Sequence, residues 1–279
     1  MSRHSQRKVV NGIFVALTSL ATAIAVGALI LILISLVLNG LGGFDWHVFT
    51  LDQPPPGELG GLRNALVGSL LLCGAAMVIA VVLGLLAGTY LAEYGDNNKL
   101  AATVRFLNDV LLSAPSILIG LFVYEVLVRP FHGFSALAGA VALAFLATPV
   151  VTRTTEDILR LQSNALREAG MALGANRGLV IRSIIWRASA TGLMTGGLLG
   201  FARISGETAP LLFTSLGNPF LSLSLTHPIA ALPTTIFQFA LSAYDDWRRL
   251  AWVGALIIAI AVLTANIIGR ALARGSVPK

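Results

Sequence analysis

The sequence predicts an all-α integral membrane protein with six transmembrane helices and both termini in the cytoplasm. Three observations carry this expectation. Hydrophobic residues make up 56% of the 279 positions and charged residues only 11%, a balance outside that of soluble domains. Apolar runs recur at 12–38, 64–92, 103–128, 134–152, 188–213 and 249–269, at or near the length that crosses a bilayer. Basic residues are partitioned as well. With the N-terminus inside, segments 1–11, 93–102, 153–187 and 270–279, with boundary Arg105, hold about 14 of the 19 Lys and Arg. Arg63, Arg129, Arg248 and Arg249 fall outside, and Arg203 lies within a run.

The first run, Gly12 to Leu38, is uncharged. It follows Ser2-Arg-His-Ser-Gln-Arg-Lys8, a basic start like that of a signal peptide. The run is too long for a signal core and no clean cleavage site follows, so it reads as a retained anchor. The loop 39–62, with Pro54-Pro-Pro-Gly57 and two glycine pairs, reads as a turn-rich connector outside the membrane. Cys73, the one cysteine, lies mid-run and reads as a small buried apolar residue. Segment 153–187 alternates charge with Ile158, Leu161, Leu166, Ile181, Ile184 and Ile185. Short amphipathic helices fit it, and it is too polar to span. Between 214 and 247, Asn218-Pro219, His227-Pro228 and Leu232-Pro233 break any long helix, leaving an outside loop with a short interfacial or re-entrant helix near 229–243. Pro115, Pro149 and Pro210 read as residues that kink or end helices. Trp186, Trp247 and Trp252 read as interface anchors.

Composition excludes several functions. The net charge of +6 sits at the ends of apolar runs and not on one face, so nucleic acid is not an expected partner. No Gly-x-x-x-x-Gly-Lys-Ser/Thr loop occurs, and Lys8, Lys99 and Lys279 are the only lysines. His4, His47, His132 and His227 are scattered, so no metal site is expected. An intramembrane hydrolase lacks a nucleophile–base pair, and no inverted repeat of interrupted helices favours an ATPase-independent transporter.

The fifth run carries the chemistry. Phe201-Ala-Arg-Ile-Ser-Gly-Glu-Thr-Ala-Pro210 places Arg203 and Glu207 four residues apart in apolar surroundings. A charge at membrane depth costs about 2.5–3.5 kcal/mol on insertion scales. On one continuous helix with Gly192 at zero, Gly196, Gly200, Arg203 and Glu207 fall at about 40°, 80°, 20° and 60°. The glycine stripe and the charged pair would then share a face turned to protein or to a water-filled cavity. Either the pair braces a helix interface or it marks a solute path. An arginine on such a path suits an oxyanion through its planar fork of donors.

Five motifs resemble one family. Arg167-Glu-Ala-Gly-Met-Ala-Leu-Gly-Ala-Asn-Arg177 looks like the EAA loop of binding-protein-dependent ABC importer permeases, with Glu168, Ala169 and Gly174 matching its signature. Gly170 stands where the family usually has a second alanine, and Trp186-Arg187 where it commonly has Leu-Pro. Glycine lowers helix propensity by about 1 kcal/mol, which predicts a loosened coupling helix. Tyr90-Leu-Ala-Glu-Tyr94, Ala114-Pro-Ser-Ile-Leu-Ile-Gly-Leu-Phe-Val-Tyr124 and Gly206-Glu-Thr-Ala-Pro-Leu-Leu212 resemble phosphate ABC permeases, and the Ala-Pro-Leu-Leu continuation with Leu232-Pro-Thr-Thr-Ile-Phe237 resembles their A-type subunit more than its C-type partner.

The resemblance implies a type I ABC importer permease fold over residues 62–272, preceded by a tail, first helix and loop at 1–61 and followed by a tail at 273–279. It implies a multi-pass protein of the bacterial or archaeal inner membrane. Its expected partners are a C-type permease, two copies of a cytoplasmic ATPase and an extracytoplasmic phosphate-binding protein. The chain itself would hold no cofactor, ATP and Mg being used by the ATPase. Glu168, Ala169, Gly170, Leu173 and Gly174 would couple to that ATPase. Arg203, Glu207 and Thr208 would belong to the phosphate path, with Gly192, Gly196 and Gly200 packing helices. A permease for molybdate or sulfate is the alternative.

Overall fold

The computed structural model describes residues 3–96 and 98–275, and those residues form helices and loops without strands. The chain starts with α1 (Arg3–Gly42), a short α2 (His47–Thr50) and α3 (Arg63–Glu93). Next come α4 (Lys99–Ser113) and α5 (Ser116–Val123), the latter continued by a π-helical turn at Tyr124–Val128, and then α6 (Ala136–Arg160). The polar segment holds α7 (Asn164–Ala172) and α8 (Arg177–Val180), joined through a π turn at Ile181–Ile185 to α9 (Trp186–Ala188). Finally come α10 (Ala190–Ser205), α11 (Ala209–Leu212), α12 (Leu232–Ala240) and α13 (Asp245–Gly275). Of the tail expected at 273–279, residues 276–279 lie outside the described part.

Four helices are long and apolar enough to span: Val10–Gly42, Arg63–Glu93, Ala136–Arg160 and Asp245–Gly269. The two other apolar runs are interrupted at Pro115 and just ahead of Pro210, two of the prolines expected to kink or end helices. Run 103–128 bends by 107° between α4 and α5. Ala114 there is extended (ψ 136°) ahead of Pro115, the backbone that a following proline enforces. Run 188–213 splits at Gly206–Thr208 into α10 and the single turn of α11, and Pro210 stands in that turn's first positions. The 16 residues of α10 rise about 24 Å, short of a hydrocarbon core of about 30 Å. Pro149, by contrast, stays inside α6 and starts no break. Expected polar elements are present: α7 to α9 occupy 164–188, and α12 falls in the stretch foreseen near 229–243.

The core lies where α3, α6 and α10 meet, built from Leu72, Ala76 and Ala80, from Ala140, Leu143 and Ala147, and from Ile204. Small residues let the backbones approach, which is how helices associate where lipid offers no hydrophobic drive. A Cβ on Gly84 or Gly88 of α3 would lie 2.7 Å from Val151 or 2.6 Å from the Thr152 carbonyl of α6. Cys73 is buried in this core, as its position predicts.

At the other end of the bundle, loops close over the helices. The free amides of Ala136 and Leu137 at the start of α6 donate to the carbonyls of His227 (3.0 Å) and Leu225 (2.8 Å). The Asp52 carboxylate takes the Arg63 Nε at 2.9 Å and the Leu221 amide at 3.0 Å, tying the first loop to the 214–231 loop.

Candidate functional site

The glycine stripe meets α6, a neighbouring helix of the same chain. A Cβ on Gly192 would come within 2.8 Å of Ile158, one on Gly196 within 3.0 Å of Thr154, and one on Gly200 within 3.0 Å of Val151. The pairings run in opposite directions along the two helices, so α10 lies antiparallel on α6. With its glycines spent on this contact, α10 turns Met194, Leu199 and Arg203 outward.

Glu207 is not on α10 as the continuous-helix reading placed it. The helix ends at Ser205, Gly206 caps it, and the Glu207 amide closes the turn on the Ile204 carbonyl at 3.1 Å. The turn nevertheless brings Glu207 back to Arg203, and the two form an ion pair through Nη1 and Oε1. Their exposures differ: the Glu207 side chain is 10% exposed and that of Arg203 47%. A nearly buried carboxylate is thus covered by a guanidinium whose other donors bond nothing among the described residues. Such donors are free to take an anion.

Thr208 sits between α10 and α11, at the N-cap of α11 without a side-chain capping bond. Thr214 takes the structural role instead, its buried hydroxyl donating to the Pro210 carbonyl at 2.8 Å. The two interrupted segments touch here: a Cβ on Gly120 of α5 would stand 2.6 Å from Pro210 Cα. Only glycine permits that approach of the elbow at 206–210 to the helix after the 114–115 bend. A groove of about 610 Å³ lies beside this elbow between α10 and α13, but its lining of Ala202, Gly206, Ile258, Val262 and similar residues carries no charge.

The residues expected to couple to an ATPase lie on α7 and just past its end. Ser163 caps it by accepting from the Leu166 amide at 3.4 Å, and Gly174 ends the segment at φ +85°. Glu168, Ala169 and Leu173 are exposed, Leu173 at 89%. Gly170 is the buried residue of the helix, and a Cβ on it would approach Ile184 and Val180 to 2.9 Å. α7 is formed through Gly170, whose small size seats the helix on the segment that follows.

Sequence reasoning missed two buried ion pairs, one joining α7 to α3 and one joining α4 to α6. Arg167 holds Glu93 at 2.7 Å, and Arg105 holds Glu156 at 2.8 Å, with carboxylate side chains 2% and 4% exposed. One signal was available. Glu93 is the last residue of α3, where the helix dipole disfavours an anion, so a cationic partner was called for. Its identity, 74 residues away, was not legible.

Relatives decide what this architecture is. The family model described as "binding-protein-dependent transport system inner membrane component" matches residues 60–279. The chain belongs to this family. As a family member it is a multi-pass inner membrane protein, with the type I ABC importer permease fold. It is 50% identical over 264 residues to the phosphate transport system permease protein PstA of Haemophilus influenzae, covering 95% of this chain and 94% of that one. The protein of the same description from Yersinia pestis is 52% identical over 245 residues, covering 88% and 83%. Among solved structures, the inward-facing MetNI methionine ABC transporter superposes with a TM-score of 0.66 at 19% identity, over 78% of this chain and 96% of that one. That likeness speaks for the fold alone.

Proposed function

We propose that this chain is the permease subunit of an ATP-driven inorganic phosphate importer and forms half of its translocation pathway. The observation that carries the substrate is near-complete coverage of phosphate permeases at about half identity. The sulfate and molybdate alternatives draw no support from these relatives. As a permease subunit the chain is not itself an enzyme. ATP and Mg belong to two cytoplasmic ATPase subunits, an extracytoplasmic phosphate-binding protein delivers the anion, and a related C-type permease supplies the other half of the pore. Both termini face the cytoplasm, in keeping with the partition of basic residues.

ATP-driven closure of the ATPase pair moves α7, whose exposed Glu168 and Leu173 offer the docking face. The segment from α7 through α9 leads directly into α10, and its displacement reorients the elbow at Gly206–Thr208. Arg203 then presents its unoccupied donors to phosphate released from the binding protein. The site holds the anion briefly, since conduction requires it to leave again. Thr208, at the break, adds a hydroxyl donor.

Glu207 repels an anion, and its part is that of a latch. With no phosphate present it holds Arg203, and the arriving anion competes for the same guanidinium. An alternative role, accepting a hydrogen bond from a phosphate hydroxyl, would make Glu207 a selectivity element. Glu207→Gln separates them: a latch variant leaks phosphate without ATP, whereas a selectivity variant keeps tight, ATP-dependent transport and loses discrimination against arsenate or sulfate.

Uptake of radiolabelled phosphate in cells lacking other phosphate importers tests the whole proposal, with wild type and Arg203→Gln compared at equal membrane abundance. Uptake in wild type and its loss in the variant, with assembly intact, are expected. Equal uptake in both would make the pair a brace, and none in wild type with all partners supplied would overturn the phosphate assignment.

A further inference from the structure

Arg167 opens the coupling segment but points away from the exposed face of α7. Its Nε and Nη2 reach both oxygens of Glu93, at 3.0 Å and 3.1 Å from Nε and 2.7 Å from Nη2. Its remaining hydrogens go to the last carbonyls of α6 and the turn after it: Leu159 at 2.8 Å, Gln162 at 2.6 Å and Ser163 at 3.3 Å. One guanidinium, with its side chain 16% exposed, thus joins α7, the end of α6 and the end of α3. Two further residues of the segment converge on the last turns of α3. Arg177 donates to the Glu93 carbonyl and lies over the Tyr94 ring, 4.4 Å from its centroid. Trp186 Nε1 donates to Thr89 Oγ1 at 3.1 Å.

From this convergence we infer that Glu93 and Arg167 are the positioning residues through which α7 and the membrane bundle exchange movement. The inference rests on the importer reading above. Moving α7 without α3 and α6 would strip a buried carboxylate of its bidentate partner and leave helix-end carbonyls unpaired, both strongly disfavoured. Motion of α7 therefore carries the ends of α3 and α6 with it. A signal from the outside face, through the same helices, reaches α7 by the same route.

The test uses the complete complex in proteoliposomes, reading phosphate moved and ATP hydrolysed together. In Glu93→Gln, basal hydrolysis is expected to persist, while its stimulation by loaded binding protein and the phosphate moved per ATP each fall about tenfold. A second variant guards against misfolding: Glu93→Cys with Arg167→Cys in a Cys73→Ser background. Bridging this pair with a short bis-methanethiosulfonate should restore both quantities, and a reductant should abolish them again; a merely structural contact would show no such reversibility. Unchanged stimulation and ratio in an assembled Glu93→Gln complex, or no effect of bridging on an assembled cysteine pair, would overturn the inference. A wild-type complex that moves no phosphate would count against the importer reading instead. The joint would then be judged on stimulated ATP hydrolysis alone, lost and regained with the bridge.

Discussion

Arg203 and Arg167 stand in opposite conditions, though each holds a nearly buried carboxylate. Arg167 is 16% exposed and gives its hydrogens to Glu93 and three carbonyls. Arg203 is 47% exposed and gives one nitrogen to Glu207. A guanidinium whose fork is filled by its own chain is a strut. One with open positions, over a carboxylate that can release it, is a place where a solute can bind. Burial of the carboxylate does not distinguish these cases. The use made of the remaining donors does.

The comparison breaks first at Arg203. Replacing it with Gln should cut uptake by roughly 100-fold, because the open donors that would meet the anion vanish. Thermal unfolding of the purified complex should move far less than uptake. A large loss of stability with normal uptake per assembled complex would make Arg203 a brace and not a solute site.

Arg105 sharpens the other side. It serves Glu156 through Nε and the carbonyls of Leu91 and Gly95 through its terminal nitrogens. Arg160 also reaches Glu156, at 3.1 Å, so the carboxylate keeps one partner when Arg105 is removed. Arg105→Gln should lower stability by about 2 kcal/mol, read by denaturation in detergent, and leave uptake per complex unchanged. A transport defect without loss of stability would erase the distinction.

Asp52 gives a smaller, pH-dependent effect. The hydrogen bond from Arg63, aided by the Leu221 amide and opposed by desolvation, lowers its pKa below the ordinary 3.8. A depressed carboxylate contributes stability above its unfolded pKa and loses it as pH falls through the folded value. Amide exchange around Leu221 should quicken as pH drops below 3.8, beyond the intrinsic trend, and Asp52→Asn should abolish the difference. The smallest change is expected for Gly170→Ala. The gain in helix propensity is set against overpacking on the buried, β-branched Val180 and the δ-methyl of Ile184, so stability read by denaturation in detergent should fall by about 1 kcal/mol.

What was legible follows from how local each cause is. Apolar runs and the placement of arginines announce a membrane bundle, because both act along a single stretch of chain. The glycine spacing of α10 and the EAA-like segment are equally local. The breaks at 114–115 and 206–208 lie inside continuous hydrophobicity, where Pro115 and Pro210 signalled an interruption but the run, which records solubility and not backbone direction, left its angle open. The proline at 115 ends a helix while Pro149 remains within one, and their own residue type does not separate them. The Arg203–Glu207 pair was visible because its members are near in sequence. Glu93 with Arg167 and Arg105 with Glu156 required the tertiary fold to bring them together.

The interlocked position of α6 sets the mechanics of the whole subunit. Gly84 and Gly88 engage it from α3, and Gly192, Gly196 and Gly200 from α10. Rotation of α6 about its own axis, or sliding by a fraction of a turn, would drive side chains into backbone on both flanks. Three helices are thus geared as one slab with almost no internal degree of freedom. Any change of shape between the inward and outward forms is exported to the two elbows at Ala114–Pro115 and Gly206–Thr208, and the helices that follow them, α5 and α11, touch through Gly120 and Pro210.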